Sequence, residues 1–503
     1  MKKLMPLLLL AAAPLFGFPP QPGLVGQWAI FELSFNASGW SNPFLEVELH
    51  GVFTAPSGTE HRVEGFYDGD GAGGVTGDVF KLRFAPGETG AWRWRTESNR
   101  DALDGQAGEF TVTPSANRGP LRYDPRRPRW LHWADGTVFF ESGADDPECF
   151  LADKFITQQQ RYEGIDYLAA KGVNSLYFGV TNAGPGDGTA EMKVTPWMGG
   201  FDKPEFDNIC LLFMNRLEGV VRRLDSHGMT AHIVLYLDDC CQISDAITAE
   251  QEELLIRYLC ARFGSFSGIV WNLAEEFDEC FTEQWCSSRA AMFVRHDPLG
   301  HPVTVHQLSN DEFKLAGDPN FGTTAMQFNR TAPDSINAMV RHLRDQTEAA
   351  GRPLPASLIE WTPLAPEEAE TARRGMWAIA AAGGSYQVFN KNNDEPMTAE
   401  FALWEETWGY ADIVRRTMEA LPLDEMEPDN SLVSRGFCLV QPGEHYLVYL
   451  PEGGEVTVEV TGSALAANWI DPRTGERTQA GAVEVGKVSF STPTEGDWAL
   501  VLE

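Results

Sequence analysis

The sequence predicts an α/β chain built on a (β/α)8 TIM barrel, flanked by an N-terminal β-sandwich and a small C-terminal β-sandwich. Three observations predict it. Short alternating strands with regular turns fill residues 24–118. Eight apolar runs alternate with amphipathic helical stretches from 119 to 425. Short strands return from 430 to 503.

In the first zone, Trp28–Phe35, Leu45–Phe53, Val79–Phe84 and Trp92–Thr96 alternate apolar and polar residues, the pattern of a half-buried strand. Turn clusters at Ala55–Gly58 and Ala85–Gly90 separate them. Gly69–Gly74 fits GxGxxG, but a strand follows it rather than a helix. A turn is therefore expected there, and no dinucleotide site.

In the second zone the eight barrel strands are expected at Val138–Phe140, Ser175–Val180, Ala231–Leu237, Gly268–Leu273, Pro302–His306, Thr324–Phe328, Ala356–Glu360 and Ser385–Phe389. Helices are expected at Gln159–Lys171, Leu211–His227, Ala249–Phe263, Ser335–Ala350 and Pro366–Ala382, with Gly172 and Gly228 as C-caps. An open doubly wound sheet is the competing arrangement of the same units. Leu421–Asn430, acidic and carrying two prolines, joins this zone to the last. There Tyr446–Leu450, Glu455–Val460 and Trp498–Leu502 supply strands.

Residues 1–20 read as a secretory signal: Lys2 and Lys3 precede an apolar stretch, Leu4–Phe18, that is too short to span a bilayer. A secreted or periplasmic protein is expected, with no membrane association after signal removal. The net charge of -33, from 39 basic and 72 acidic residues, repels phosphate backbones and makes nucleic acid an unsuitable partner. Fifteen tryptophans offer flat apolar faces for stacking on sugars.

Eight cysteines are too few for a disulfide scaffold. Cys280 and Cys286 are close enough to pair, which leaves the adjacent Cys240 and Cys241 to other partners or to burial. No CxxC or Cys/His zinc spacing occurs, and His296, His301 and His306 recur every five residues, which suits no single helix face. No metal and no cofactor are expected.

Barrel enzymes place their chemistry at the C-terminal ends of the strands. Two apolar runs end on acids: the fourth in Trp271-Asn-Leu-Ala-Glu275-Glu276, the seventh in Leu358-Ile-Glu360-Trp361. Facing carboxyl groups suit glycoside hydrolysis, in which one must donate a proton and the other must stay ionised. Carboxyl groups about 5–5.5 Å apart give retention, and about 6.5–9.5 Å gives inversion. Around them, Asn182, Asp238, Asp239, His306, Gln307, Gln327, Asn329, Asn390, Lys391 and Asn393 follow strand ends and suit hydrogen bonds to sugar hydroxyls. Trp197, Trp361, Trp404 and Trp408 could stack on a sugar, although the spacing of the last two on a helix favours the core.

The fourth-strand run is similar to the acid/base strand of clan-A retaining glycosidases, in which W-x-L-G-N-E ends on the catalytic Glu. The resemblance places the acid/base on Glu276 and Glu275 where the family carries Asn; Asn272, on the same strand, is a further candidate for substrate binding. A carboxylate at that position could bind a hydroxyl, or exchange roles with Glu276. Glu360 matches the nucleophile by position. Asn42-Pro-Phe44, Gly65-Phe-Tyr-Asp-Gly69, Gly143–Leu151 and Lys171–Asn174 resemble the bacterial apiosidase-like glycoside hydrolase family, in which a sandwich domain of unknown function precedes the barrel. Asn468–Gly475 with Asp497-Trp498 resembles its C-terminal sandwich. Ala274 and Phe277 depart from that family's WNLGEEN-like run. The resemblance implies a carbohydrate substrate. A non-catalytic carbohydrate-binding protein is the alternative, and strand ends poor in Arg argue against a polysaccharide lyase.

Overall fold

The computed structural model describes residues 23–145, 150–153, 156–182, 194–237, 240–308, 312–361, 365–390 and 400–503. The expected signal, residues 1–20, lies outside them, as do Asp238, Asp239, Lys391 and Asn393.

The centre of the fold is a seven-stranded parallel sheet. Its order is Val303–Thr304, Ile269–Ala274, Thr230–Tyr236, Ser175–Gly179, Ser142–Asp145, Gly384–Phe389 and Ala356–Leu358. These strands are buried along their whole length because helices cover the sheet. The helices start and stop where their sequence directs. Thr248 caps Ala249–Phe263 through the Gln251 amide, with the Gln251 side chain returning the bond, and Thr157 caps Gln158–Ala170 in the same way. Gly172 and Gly228 follow their helices at φ +81° and +67°, a left-handed backbone that favours glycine.

Two strand expectations are corrected. The first parallel strand is Ser142–Asp145, whereas Val138–Phe139 pairs antiparallel with Leu131–Trp133 in a small three-stranded sheet. Ser-Gly-Ala-Asp carries no apolar signature, yet all four residues are buried between Ser175–Gly179 and Gly384–Phe389. Phe139 packs instead with Leu121, Trp133 and Val270. Thr324–Phe328 forms no strand: Met326 alone makes parallel bridges, to Gln307 on one side and Leu358 on the other. The Met326 amide donates to Ser357 O at 3.2 Å, and the Gln327 amide donates to Gln307 O at 3.0 Å. The segment therefore links the two edges of the sheet through single bridges.

The N-terminal residues form a seven-stranded sheet from Leu24–Gly26 to Phe31–Asn36. It curls until Phe31, on one edge strand, stacks on Phe110 at 4.1 Å between ring centres. Gly69–Gly74 is a turn, with Asp70 Oδ1 accepting from the Ala72 and Gly74 amides. This region docks on the helices through buried ion pairs. Arg83 donates to Glu32 and Glu218, and Arg262 reaches Glu218 and Asp68. At the other end, a six-stranded sheet shares its core with the pair Glu455–Val460 and Gly486–Ser491. It meets the central layer where Trp377 stacks on Tyr449 and Arg373 pairs with buried Asp497.

Candidate active site

Glu276 and Glu360 stand at the C-terminal ends of Ile269–Ala274 and Ala356–Leu358. Both have a left-handed backbone, at φ 40° and 51°. Trp28 is the only other non-glycine residue with positive φ among the described residues. Such a conformation costs a non-glycine residue on the order of 1–3 kcal/mol and persists only where neighbours enforce it.

The neighbours are specific. Glu276 lies between the strand and the short 3-10 turn Phe277–Glu279. Phe277 is buried, and its amide donates to His306 O at 2.9 Å. A disulfide joins Cys280, just beyond that turn, to Cys241 after the neighbouring strand. The expected Cys280–Cys286 pairing is thus corrected: Cys286 is buried on the inner face of Glu283–His296, while the turn brings Cys280 to Cys241. Glu360 sits between two fully buried anchors, Ile359 and Trp361. The Trp361 ring fills the space over Gly375, where a Cβ would lie 2.2 Å from it. Trp361 is therefore corrected from a sugar-stacking surface to an anchor, because it has no exposed face. Trp197, Trp404 and Trp408 are buried as well.

Glu275 turns into the protein. A carboxylate oxygen of Glu275, a ring nitrogen of His306 and a carboxylate oxygen of Glu360 all lie within 4.8 Å of one another. Glu275 Oε1 is 4.0 Å from His306 Nδ1, and Glu360 Oε2 is 3.7 Å from Nε2. Each carboxylate approaches a different ring nitrogen, at separations wider than the roughly 3.4 Å between donors of a tetrahedral zinc site. His306 Nε2 has no hydrogen-bond partner among the described residues. Gln327 Nε2 donates to Glu360 Oε1 at 2.8 Å. The Tyr177 hydroxyl lies 3.3 Å from Glu275 Oε1 and 3.1 Å from His306 Nδ1. Burial, and then the neighbouring His232, push His306 down to about 3, so it is a neutral imidazole at physiological pH.

The remaining expected residues divide by depth. Asn272 is fully buried behind the cluster, its Oδ1 accepting from the His306 amide and its Nδ2 facing His232. It supports the site from within the sheet rather than at its mouth. Asn182 is buried in an antiparallel bridge to Val194. Asn390 is buried, its backbone amide donating to Asp145 O at 3.3 Å, and neither side-chain amide atom has a hydrogen-bond partner among the described residues. Sequence reasoning missed Tyr177 and the buried polar row behind it. Gln387 Nε2 lies 2.8 Å from Glu141 Oε1 and 2.9 Å from His232 Nδ1. The available signal was polar residues at inward positions of otherwise apolar strands.

Residues 24–99 match the family model "Domain of unknown function (DUF5060)", and residues 432–503 match "Putative collagen-binding domain of a collagenase". No curated protein matches the chain. Among solved structures, a "putative glycoside hydrolase" from Bacteroides vulgatus ATCC 8482 is similar, with a TM-score of 0.77 at 20% identity over 95% of this chain and 99% of that one. A "glycoside hydrolase" gives 0.63 at 14% identity, covering 76% of this chain and 97% of its own. A glycoside hydrolase family 5 structure from Bacteroides vulgatus ATCC 8482 gives 0.62 at 15% identity, covering 76% and 94%. The chain shares their mixed α/β fold.

Proposed function

We propose that this chain is a secreted glycoside hydrolase that cleaves a glycosidic bond in a poly- or oligosaccharide with retention, using Glu360 as nucleophile and Glu276 as acid/base. The observation that carries the reading is the meeting of two acidic strand ends, distant in sequence, at the C-terminal ends of their strands, where Glu275 and Glu360 approach His306. The similar structures named as glycoside hydrolases support the same reaction class. We further read the parallel sheet, with the Met326 segment as its sixth member, as a closed (β/α)8 barrel, and the two outer sheets as sandwiches.

In this reading the Glu360 carboxylate, which accepts from Gln327, attacks the anomeric carbon. Glu276 gives its proton to the departing glycosidic oxygen as that bond breaks and an ester forms. Glu276 then takes a proton from water, the water oxygen bonds to the anomeric carbon, and the ester bond returns its electrons to Glu360. Asn390 and Gln327 are placed to bind hydroxyl groups. The Cys241–Cys280 bridge supports an oxidising compartment, in accord with secretion or a periplasmic location.

A glycan panel with product identification, run on the wild type and on Glu276→Gln and Glu360→Gln, tests the reading. Release of sugar by the wild type, lost in both variants, supports it. Glycan binding without turnover in the wild type would instead identify a non-catalytic carbohydrate-binding protein.

A further inference from the structure

The opposite end of the central sheet holds a second cavity. It has a volume of about 560 Å³ and lies where helices end and strands begin: Gly172 stands before Ser175–Gly179, Gly228 before Thr230–Tyr236, and Phe140 before Ser142–Asp145. The sheet is parallel, so the strand ends that lead to Glu276 and Glu360 point the other way, and the cavity is separate from the candidate active site. Val138 and Phe139, from the small three-stranded sheet, form one of its walls.

The lining has two parts. Phe139, Phe140, Val173 and Met229 are almost wholly buried and supply an apolar interior. Arg118, His227 and Arg415, more exposed, stand at the rim. Two of these three are engaged within the protein. Arg415 donates to Asp412 at 2.7 Å and to Glu419 at 2.5 Å, and the His227 ring lies 2.8 Å from Asp166. Arg118 is not: among the described residues its guanidinium makes neither a hydrogen bond nor an ion pair.

Arg118 is nevertheless held in place. Its guanidinium lies over the Trp133 ring, 4.1 Å from the centroid, which fixes its plane and leaves the N–H edge to face outward. Burial pulls it below the usual arginine range, and Asp135 and Glu419, the acids that act on it, offset this only in part. A half-buried cation that has lost hydration without gaining a counter-ion favours a ligand that brings one. The flat fork of N–H donors matches a carboxylate, which accepts two parallel bonds from it.

The rest of the cavity restricts that ligand further. A bare inorganic anion would leave the apolar interior in contact with water, whereas an alkyl or aryl body displaces the water and buries apolar area. The volume falls in the range of roughly 300–1,000 Å³ that encloses a small organic molecule. Glu419 also lines the cavity, so a second negative charge on the ligand would meet a carboxylate.

We propose that this cavity binds a small amphiphilic monocarboxylate, its apolar body against Phe139, Phe140, Val173 and Met229 and its carboxylate paired with Arg118. Alkanoic and arylalkanoic acids share this chemistry. The site is independent of the hydrolase reading, because none of its residues belongs to the acidic strand ends.

The test is calorimetric titration of the full protein with hexanoate and with phenylbutyrate, each beside its neutral amide. At least one acid should bind saturably at one site per chain, and its amide should bind at least about tenfold more weakly, the weight of a charge-assisted hydrogen-bonded pair. Hexanoate binding alone marks an alkanoic ligand, and phenylbutyrate binding alone an arylalkanoic one. Arg118→Gln should weaken the acid by about tenfold and leave the amide unchanged, and Arg118→Lys, which keeps the charge without the fork, should recover part of the loss. Thr137→Glu, at an exposed position of the lining, adds a like charge and should also weaken the acid; it serves if the Gln variant does not fold. The proposal is overturned if neither acid saturates, if the amides bind as tightly as the acids, or if a folded Arg118→Gln or Thr137→Glu protein keeps the affinity of the wild type.

Discussion

Glu276 and Glu360 share a left-handed backbone that, among the described residues outside glycine, only Trp28 also adopts. Each is held there by buried anchors: Phe277 and the Cys241–Cys280 bridge for one, Ile359 and Trp361 for the other. Strain at these two positions is the local cost of presenting both acids at the C-terminal ends of their strands.

That strain predicts a trade between stability and activity. Glu276→Gly should raise unfolding stability by about 1 kcal/mol, because glycine adopts positive φ without a Cβ clash. The same variant should lose turnover. Urea unfolding beside an activity assay checks both. A Glu276→Gly protein less stable than wild type would show that the turn is not strained.

Gln327 should set the acid side of the activity profile. Its Nε2 donates to Glu360 Oε1 and favours the ionised form needed for attack. Gln327→Met keeps the bulk but removes the donor, so the acid limb of kcat/KM should move to higher pH, with the largest loss at low pH. A pH profile of kcat/KM in both proteins measures this. Equal loss at all pH values would assign Gln327 to substrate binding alone.

The Cys241–Cys280 bridge closes a loop with a sequence separation of 39 residues. Cys280→Ser, or reduction of the wild type, should lower stability by about 3 kcal/mol and reduce activity by loosening the turn after Glu276. Cys286→Ser should leave the bridge in place. Denaturant unfolding with and without reductant, and peptide mapping by mass, read these outcomes.

Docking of the N-terminal sheet depends on Glu218. Burial alone would raise its carboxyl group, but Arg83 and Arg262 hold it well below the usual range. A group depressed in the folded state stabilises fully above the ordinary glutamate range, and that contribution is lost as pH falls through the folded value. Glu218→Gln leaves buried Arg83 and Arg262 undercompensated and should cost about 3–5 kcal/mol. Thermal unfolding at neutral pH should show that loss, and the gap from wild type should narrow in acid.

The legible parts of the fold were those with strong periodicity or apolar runs. Ala249–Phe263 begins and ends at its expected residues, and Thr230–Tyr236 and Ile269–Ala274 lie within a residue or two of theirs. Ser142–Asp145 was hidden because a central parallel strand can be polar when its side chains join buried networks, as Ser142 does with Tyr386. The Met326 segment carries the apolar pattern of a full strand but makes only one bridge on each side. In the site, the acids at strand ends were visible as Glu275, Glu276 and Glu360. Tyr177 was not, because a tyrosine within an apolar strand reads as core. In sequence Trp361 reads as a platform, because sequence does not say which face of a strand end meets the neighbouring helix.

The central claim is tested most directly by trapping. The wild-type protein is incubated with a panel of 2-deoxy-2-fluoro glycosides bearing activated leaving groups, and the modified peptide is sequenced by mass spectrometry. The account predicts one sugar adduct, on Glu360, absent from Glu360→Gln. An adduct on another residue, or hydrolysis of natural substrate with inversion at the anomeric centre, would contradict it.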